Sequence, residues 1–413
     1  MKILVLTSEP PYPPLNGVRI KTYHLLRGLF ERGHEIHLVS FAEASDCFEL
    51  GIVKELEKYC VGVKSFQLCD DPKYLVKNVI SNLYSKDVIN FRFQSKGFQK
   101  LLASTVKDEA IDIVHFDMVS LTHYLKSVDG IVPSIASIND SYSLWLRGKL
   151  SRAPYSTLNS VLEKAYYTIT FPVATVYEKS TYENFQKVHV VSPIDATYLR
   201  CLNPNIDVEV IPNGVDVEYF KPLGLPQNDL SLVFVANMAG ESAFNALWFI
   251  RNVFAEVKRE IPNIRSYLVG KDPDRALLSE ANRTEGVIVT GYVKDVRPYF
   301  DRATLVIDPT VKQGGILNHV LQAMAMGKPV VGTKFSFLAI EGARSWKNVV
   351  IANDANDFAS KIIHLLRNED ERKVIGANAR RLIESRYTWT KIVPRYEEMY
   401  NQAIVKFESQ RSQ

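Results

Sequence analysis

Two glycines, Gly314 and Gly315, precede an apolar run from Leu317 to Met326 that closes at Gly327-Lys328-Pro329. A Gly-Gly turn feeding a helix leaves backbone N–H groups unpaired at the positive helix end, where phosphates bind. Gly327 stands where a left-handed C-cap belongs, and Pro329 cannot continue the helix. An apolar strand resumes at Val330. The stretch is a strand–loop–helix–strand unit with an anion site at its loop. Two more apolar runs end in polar residues: IDIVHFDMVS (111–120) carries His115 and Asp117, and SIASIND (134–140) ends in Asn139-Asp140. Open α/β sheets bind ligands at the C-terminal ends of their strands, which makes these residues site candidates. The alternative for His115 is the capping of a neighbouring loop. Gly17, closing the proline-rich turn SEPPYPPLNG, reads equally as a turn glycine and as a ligand contact in a first βα loop. No GxGxxG accompanies it, so a dinucleotide fingerprint is absent.

These residues need alternating strands and helices to position them. ILVLT (3–7) has the apolar, β-branched character of a strand buried on both faces. A helix from about Val18 to Arg32 follows, with Ile20, Tyr23, Leu26, Leu29 and Phe30 at helical spacing. Gly33 caps it, and EIHLVSF (35–41) is the next strand. A βαβ opening implies a parallel sheet with a right-handed crossover. A strand near Val63–Leu68, the runs at 111–120 and 134–140, an aromatic-rich helical region at 144–185 and VHVVS (188–192) complete a first half. Between 193 and 226 a Pro-Asn-Gly turn and a Pro-Leu-Gly-Leu-Pro link have the composition of a domain boundary. The second half repeats the alternation. Its strands are 231–237, 266–270, 287–291, 304–309 and 349–352, with helices at Phe244–Arg259, Val296–Phe300 and 355–387 and a terminal helix at 390–408.

With 413 residues, two domains are the natural expectation. A composition of 46% hydrophobic and 23% charged residues is that of a soluble globular enzyme. A net charge of +4 excludes a dedicated nucleic-acid binder. The four cysteines, Cys47, Cys60, Cys69 and Cys201, show no metal spacing and read as buried thiols. The start lacks the apolar core of a signal peptide, and no apolar run is long enough to span a membrane. A cytoplasmic location is the expectation. SKDVINFRFQSKGFQKLL (85–102) interleaves bases with aromatics and reads as a half-buried surface helix, with docking on anionic lipid as the alternative.

The order and spacing of several stretches together carry a resemblance. They are the strand–PPxxxG–helix–RGHE opening, VIPNGVDVEYFKP ending at 222, VTGYVKDVRPYF (289–300), LQAMAMGKPVVGT (321–333) and YTWTKIVPRYEEMY (387–400). The chain resembles GT-B fold glycosyltransferases of glycosyltransferase family 4, over nearly its whole length, and within them a bacterial branch linked to exopolysaccharide and surface-glycan assembly. The resemblance implies an α/β protein of two Rossmann-like doubly wound domains facing a cleft. Residues 1–200 would form the acceptor domain and 201–388 the nucleotide-sugar donor domain. Residues 389–413 would be a terminal helix crossing back onto the first. It implies a retaining hexosyltransferase acting on a glycan or lipid-linked acceptor; the basic-aromatic stretch 85–102 and the segment 144–152, both in the acceptor half, add the expectation of a peripheral contact with the inner face of the membrane. Helix N-termini and basic side chains would neutralise the leaving diphosphate, so no metal or other cofactor is expected.

By position, Asp117 or His115 matches the family's first-domain histidine near the reacting sugar, Asp117 being preferred on register. Asp140 matches a polar position after the next strand, and Asn16-Gly17 the first-loop approach to the diphosphate. The donor loop comprises Gly314, Gly315, Ile316, Leu317, Asn318 and Gln322. The family's two glutamates, eight residues apart, are replaced here by Gly314 and Gln322. The family's basic pair after the first strand of the second domain is missing from VANMAGESAFNAL, leaving Lys271, Arg297 and Lys312 as substitutes from neighbouring loops. A catalytically degenerate homologue acting as a binding or scaffold partner is the alternative.

Overall fold

The computed structural model describes residues 1–42, 50–68, 90, 92–151, 158–227, 229–311 and 315–412. The chain forms two compact units, one of Met1–Pro212 with Ile392–Gln413 and the other of Asn213–Lys391.

The first unit runs β1 (Lys2–Thr7), α1 (Gly17–Glu31), β2 (Glu35–Ala42), α2 (Leu50–Leu56), β3 (Gly62–Gln67), α3 (Lys96–Asp108) and β4 (Ile113–Asp117). A 3-10 stretch (Val119–Ser127) leads to β5 (Ser134–Asn139), α4 (Tyr142–Leu150), α5 (Leu158–Thr181), β6 (Lys187–Val190), α6 (Pro193–Leu202) and β7 (Val208–Val210). The sheet order is β3-β2-β1-β4-β5-β6-β7. Every pairing is parallel. Strand order reverses between β1 and β4, the switch point at which such sheets bind ligands. β1, β4 and β5 are buried almost throughout, which is why their sequences are continuous apolar runs rather than alternations.

The second unit runs β8 (Ser231–Val235), α7 (Gly240–Phe249), a π-helical turn (Ile250–Phe254), α8 (Ala255–Glu260), β9 (Arg265–Val269), α9 (Arg275–Arg283), β10 (Val287–Gly291), α10 (Arg297–Arg302) and β11 (Leu305–Asp308). It continues through α11 (Asn318–Ala325), β12 (Val330–Thr333), α12 (Lys334–Phe337), β13 (Val350–Ala352), α13 (Ala355–Arg367) and α14 (Glu369–Arg386). Its order, β10-β9-β8-β11-β12-β13, repeats the doubly wound plan with the switch point between β8 and β11. The last helix, α15 (Trp389–Arg411), belongs from Ile392 onward to the first unit. There Glu397 pairs with Arg32 and His34, and Lys406 pairs with Asp207.

One expectation is corrected and two gain detail. The helix placed at Phe244–Arg259 begins at Gly240, because the Gly240 N–H is taken by Asp274 from a distant loop, a cap that no local reading can see. The helical region 144–185 is made up of α4 and α5. Of the basic-aromatic stretch 85–102, residues 85–89 and 91 lie outside the described residues. Phe98 is buried and stacked on Phe41 at 4.2 Å, with Phe93 at 5.5 Å, so these rings pack into the core rather than towards lipid.

α11 ends as its sequence implies. Gly327 adopts φ +67°, and the N–H groups of Gly327 and Lys328 return to Met324 and Ala323. Its partner α14 approaches so closely that a Cβ at Gly376 would lie 2.1 Å from the Gly327 carbonyl oxygen. Gly376→Ala is therefore expected to destabilise the second unit by roughly 2 kcal/mol, measured by urea denaturation. A change near zero would show that the helices separate at no cost.

Candidate active site

In the second unit the polar groups converge at the switch point. Asp308 ends β11 fully buried. It accepts from His319 Nε2 at 2.5 Å, Ser336 Oγ at 2.6 Å and the Thr310 N–H at 3.1 Å. Burial alone would raise this carboxyl, but His319, Ser336 and the Thr310 N–H outweigh it and hold it below the ordinary carboxylate range. The His319 ring also lies edge-on to Phe234 of β8, at 6.0 Å. It thus touches both strands that flank the switch point. His319 is the second residue of α11, a helix whose N-cap, Leu317, offers no side-chain hydrogen bond. Asn318 is held by Asn213 of the Pro-Asn-Gly turn, Nδ2 to Oδ1 at 2.9 Å. The half-buried Gly315, Ile316, Leu317, Asn318 and Gln322 surround this helix end. Such an end, with unpaired N–H groups and the positive pole of the helix, receives an anion.

The switch point of the first unit is filled from within. Lys21, on α1 and buried, donates to Asp117 Oδ1 at 2.5 Å, Ser137 Oγ at 2.8 Å and Asn139 Oδ1 at 2.7 Å. Its three ammonium protons are thereby satisfied. Thr22 Oγ1 donates to the other Asp117 oxygen. Ser137 also meets His189 Nδ1 at 2.8 Å, while His189 Nε2 faces the Ile211 carbonyl at 2.8 Å. That carbonyl only accepts, so Nε2 carries the proton and Nδ1 receives the Ser137 hydroxyl. Burial, then Lys21, hold both His115 and His189 well below the ordinary imidazole range, so both rings are neutral. α15 supplies their outer partners: Tyr400 OH lies 2.7 Å from His115 Nδ1, and Tyr396 OH 3.1 Å from His189 Nε2.

The sequence candidates are distributed as follows. His115 and Asp117 are 0% and 1% exposed, bonded within the protein rather than open at a strand end. Asp140 is half-buried one residue beyond Asn139, which itself takes the left-handed φ of +63°. Asn16 caps α1 through Arg19 N and donates to Glu9, with Gly17 exposed beside it. Arg297 is gripped by Asp295 and lies over the Tyr219 ring at 3.7 Å. Lys271 pairs with Asp272 at 3.4 Å. Lys312 and Gly314 lie outside the described residues. Sequence reasoning missed Lys21, Asp308 and His319. Asp308 bore the same signal as Asp117, an acid closing an apolar strand.

Comparison with known proteins decides the family. A model described as Glycosyltransferase Family 4 matches residues 15–219, and one described as Glycosyl transferases group 1 matches 229–368. The chain belongs to the family 4-like glycosyltransferases of GT-B fold. It is 22% identical to the alpha-monoglucosyldiacylglycerol synthase of Acholeplasma laidlawii over 90% of each chain. Among solved structures, this glycosyltransferase is similar to the sucrose-phosphate synthase of Thermosynechococcus elongatus, with a TM-score of 0.72, 17% identity and 98% and 100% of the chains covered. It is also similar to HepE of Anabaena, solved in complex with UDP and glucose, with a TM-score of 0.66, 17% identity and 97% and 99% covered. Among the described residues of the glycosyltransferase, no helix is long and apolar enough to cross a membrane.

Proposed function

We propose that this glycosyltransferase moves a hexose-type sugar, with retention, from a nucleotide-diphosphate donor to a glycan or lipid-linked acceptor in surface-polysaccharide or glycoconjugate synthesis. The observation that carries the reading is the side-chain-uncapped N-terminus of α11 at the switch point of the second unit, faced by Gly315, Asn318 and His319. A leaving diphosphate would be neutralised there by backbone N–H groups and helix polarity rather than by a metal. A relative solved with UDP and glucose supports a nucleotide sugar as donor. Incubation with a panel of nucleotide sugars, with and without EDTA, is expected to give hydrolysis or transfer in both conditions. No turnover and no donor binding would overturn the reading, and loss of turnover in EDTA alone would overturn its metal-free part.

A lipid-linked acceptor is supported by the diacylglycerol named in the Acholeplasma relative and by α5, whose Val161, Leu162, Tyr166 and Ile169 are exposed beside Lys164. Flotation with anionic liposomes is expected to carry the protein upward. Complete retention in the soluble fraction would remove the peripheral-membrane part of the proposal.

One observation favours the second reading, a degenerate homologue that binds without catalysis: Gln322 is neutral at the position of a ribose-binding glutamate. A charged hydrogen bond exceeds a neutral one by enough to change affinity about tenfold. Gln322→Glu is therefore expected to raise nucleoside-diphosphate affinity about tenfold in a calorimetric titration. Measurable affinity of the unaltered protein for UDP or GDP argues against a dead site.

A further inference from the structure

The loop after β8, where basic side chains would hold a diphosphate, contains none between Ala236 and Ala239. The second unit also places a buried carboxylate, Asp308, beside the helix end that the anion would approach. An unneutralised anion there would repel a diphosphate in the low-dielectric interior. Among the described residues, the groups that face the His319 imidazole are the Asp308 carboxylate and the Phe234 ring. An ionised carboxylate only accepts, so Nε2 carries the proton that holds the ring on Asp308. Among the described residues Nδ1 makes no hydrogen bond, and the side chain is 17% exposed. A separate observation points the same way. Asn213, 7% exposed, is bonded to Asn318 at this helix end, and its Oδ1 is left unpartnered, an acceptor available to a ligand hydroxyl.

We propose that His319, held by Asp308, receives the donor diphosphate at the N-terminus of α11, in place of the basic pair missing after β8. Nε2–H stays on Asp308 while Nδ1–H donates to a phosphate oxygen. The ring takes its second proton from solvent as the anion binds and then contributes one charge-assisted hydrogen bond. This inference rests on the donor site proposed above.

The test is calorimetric titration of the full chain with inorganic pyrophosphate, UDP, GDP and, as a phosphate-free control, uridine. His319→Gln is expected to weaken pyrophosphate and both nucleotides about tenfold and to leave any uridine affinity unchanged. His319→Lys, which keeps a cation, is expected to retain most of the affinity, a rescue that a purely structural role would not produce. Asp308→Asn, which keeps the shape and removes the charge, is expected to weaken the anions in the same sense. Unchanged affinity in His319→Gln, or His319→Lys as weak as His319→Gln, would overturn the assignment and leave the glycosyltransferase reading standing. An unaltered protein that binds neither pyrophosphate nor nucleotide, and turns over no donor, would overturn both.

Discussion

Lys21→Met is expected to lower the unfolding free energy by about 3–5 kcal/mol, the cost of leaving one member of a buried ion pair without its partner. The Lys21 and Asp117 side chains are each 1% exposed. In the variant, Asp117 keeps Thr22 but loses the only cation bonded to it among the described residues. Ser137 and Asn139 lose the donor that joins them to β4. The double variant Lys21→Met/Asp117→Leu is expected to recover part of the loss, because an apolar pair of similar volume removes the buried charge altogether. Urea denaturation of the two variants measures both effects. A single-variant loss under about 1 kcal/mol, or a double variant no better than the single, would mean that water reaches Asp117 and that the pair does not close this switch point.

Stability of the first unit is also expected to fall as pH rises from about 4.5 to about 7, through Glu178. This residue of α5 is fully buried and caps the start of α4, accepting from Ser141 Oγ at 2.9 Å, the Tyr142 N–H at 2.7 Å and Ser143 Oγ. Burial pushes its carboxyl up to about 7, against the opposing pull of Ser143, Ser141 and the backbone N–H groups. The folded state therefore holds a proton that the unfolded chain has released above its ordinary value of 4.5. Stability is full below that value and is lost as pH climbs through the folded one, by about 3 kcal/mol in all. Glu178→Gln, which is neutral at every pH, is expected to flatten the slope in this window. A slope unchanged in the variant would assign the pH dependence to other groups.

The reach of sequence reasoning can be judged from particular residues. Leu317–Met326 with its Gly327 cap was legible because helix periodicity and capping are local properties, decided within a few residues. The buried strands were legible for the same reason, and so was the α/β class that follows from their alternation with helices. The start of α7 was not, since its cap, Asp274, lies 34 residues away. Nor were the roles of the polar strand ends. Asp117 was visible as an acid closing an apolar run, but its partner Lys21 lies 96 residues earlier in what reads as an ordinary amphipathic helix.

The sequence by itself determined the two doubly wound halves and, through the order of its motifs, the glycosyltransferase family, because hydrophobic period and turn chemistry are written residue by residue. Only the tertiary structure decided which polar residues are spent on the protein and which remain for a ligand. Burial makes an unpaired charge or polar group costly, and the pairings that relieve it join β4 to α1, β6 to α15 and β11 to α11, elements that only the folded chain brings into contact.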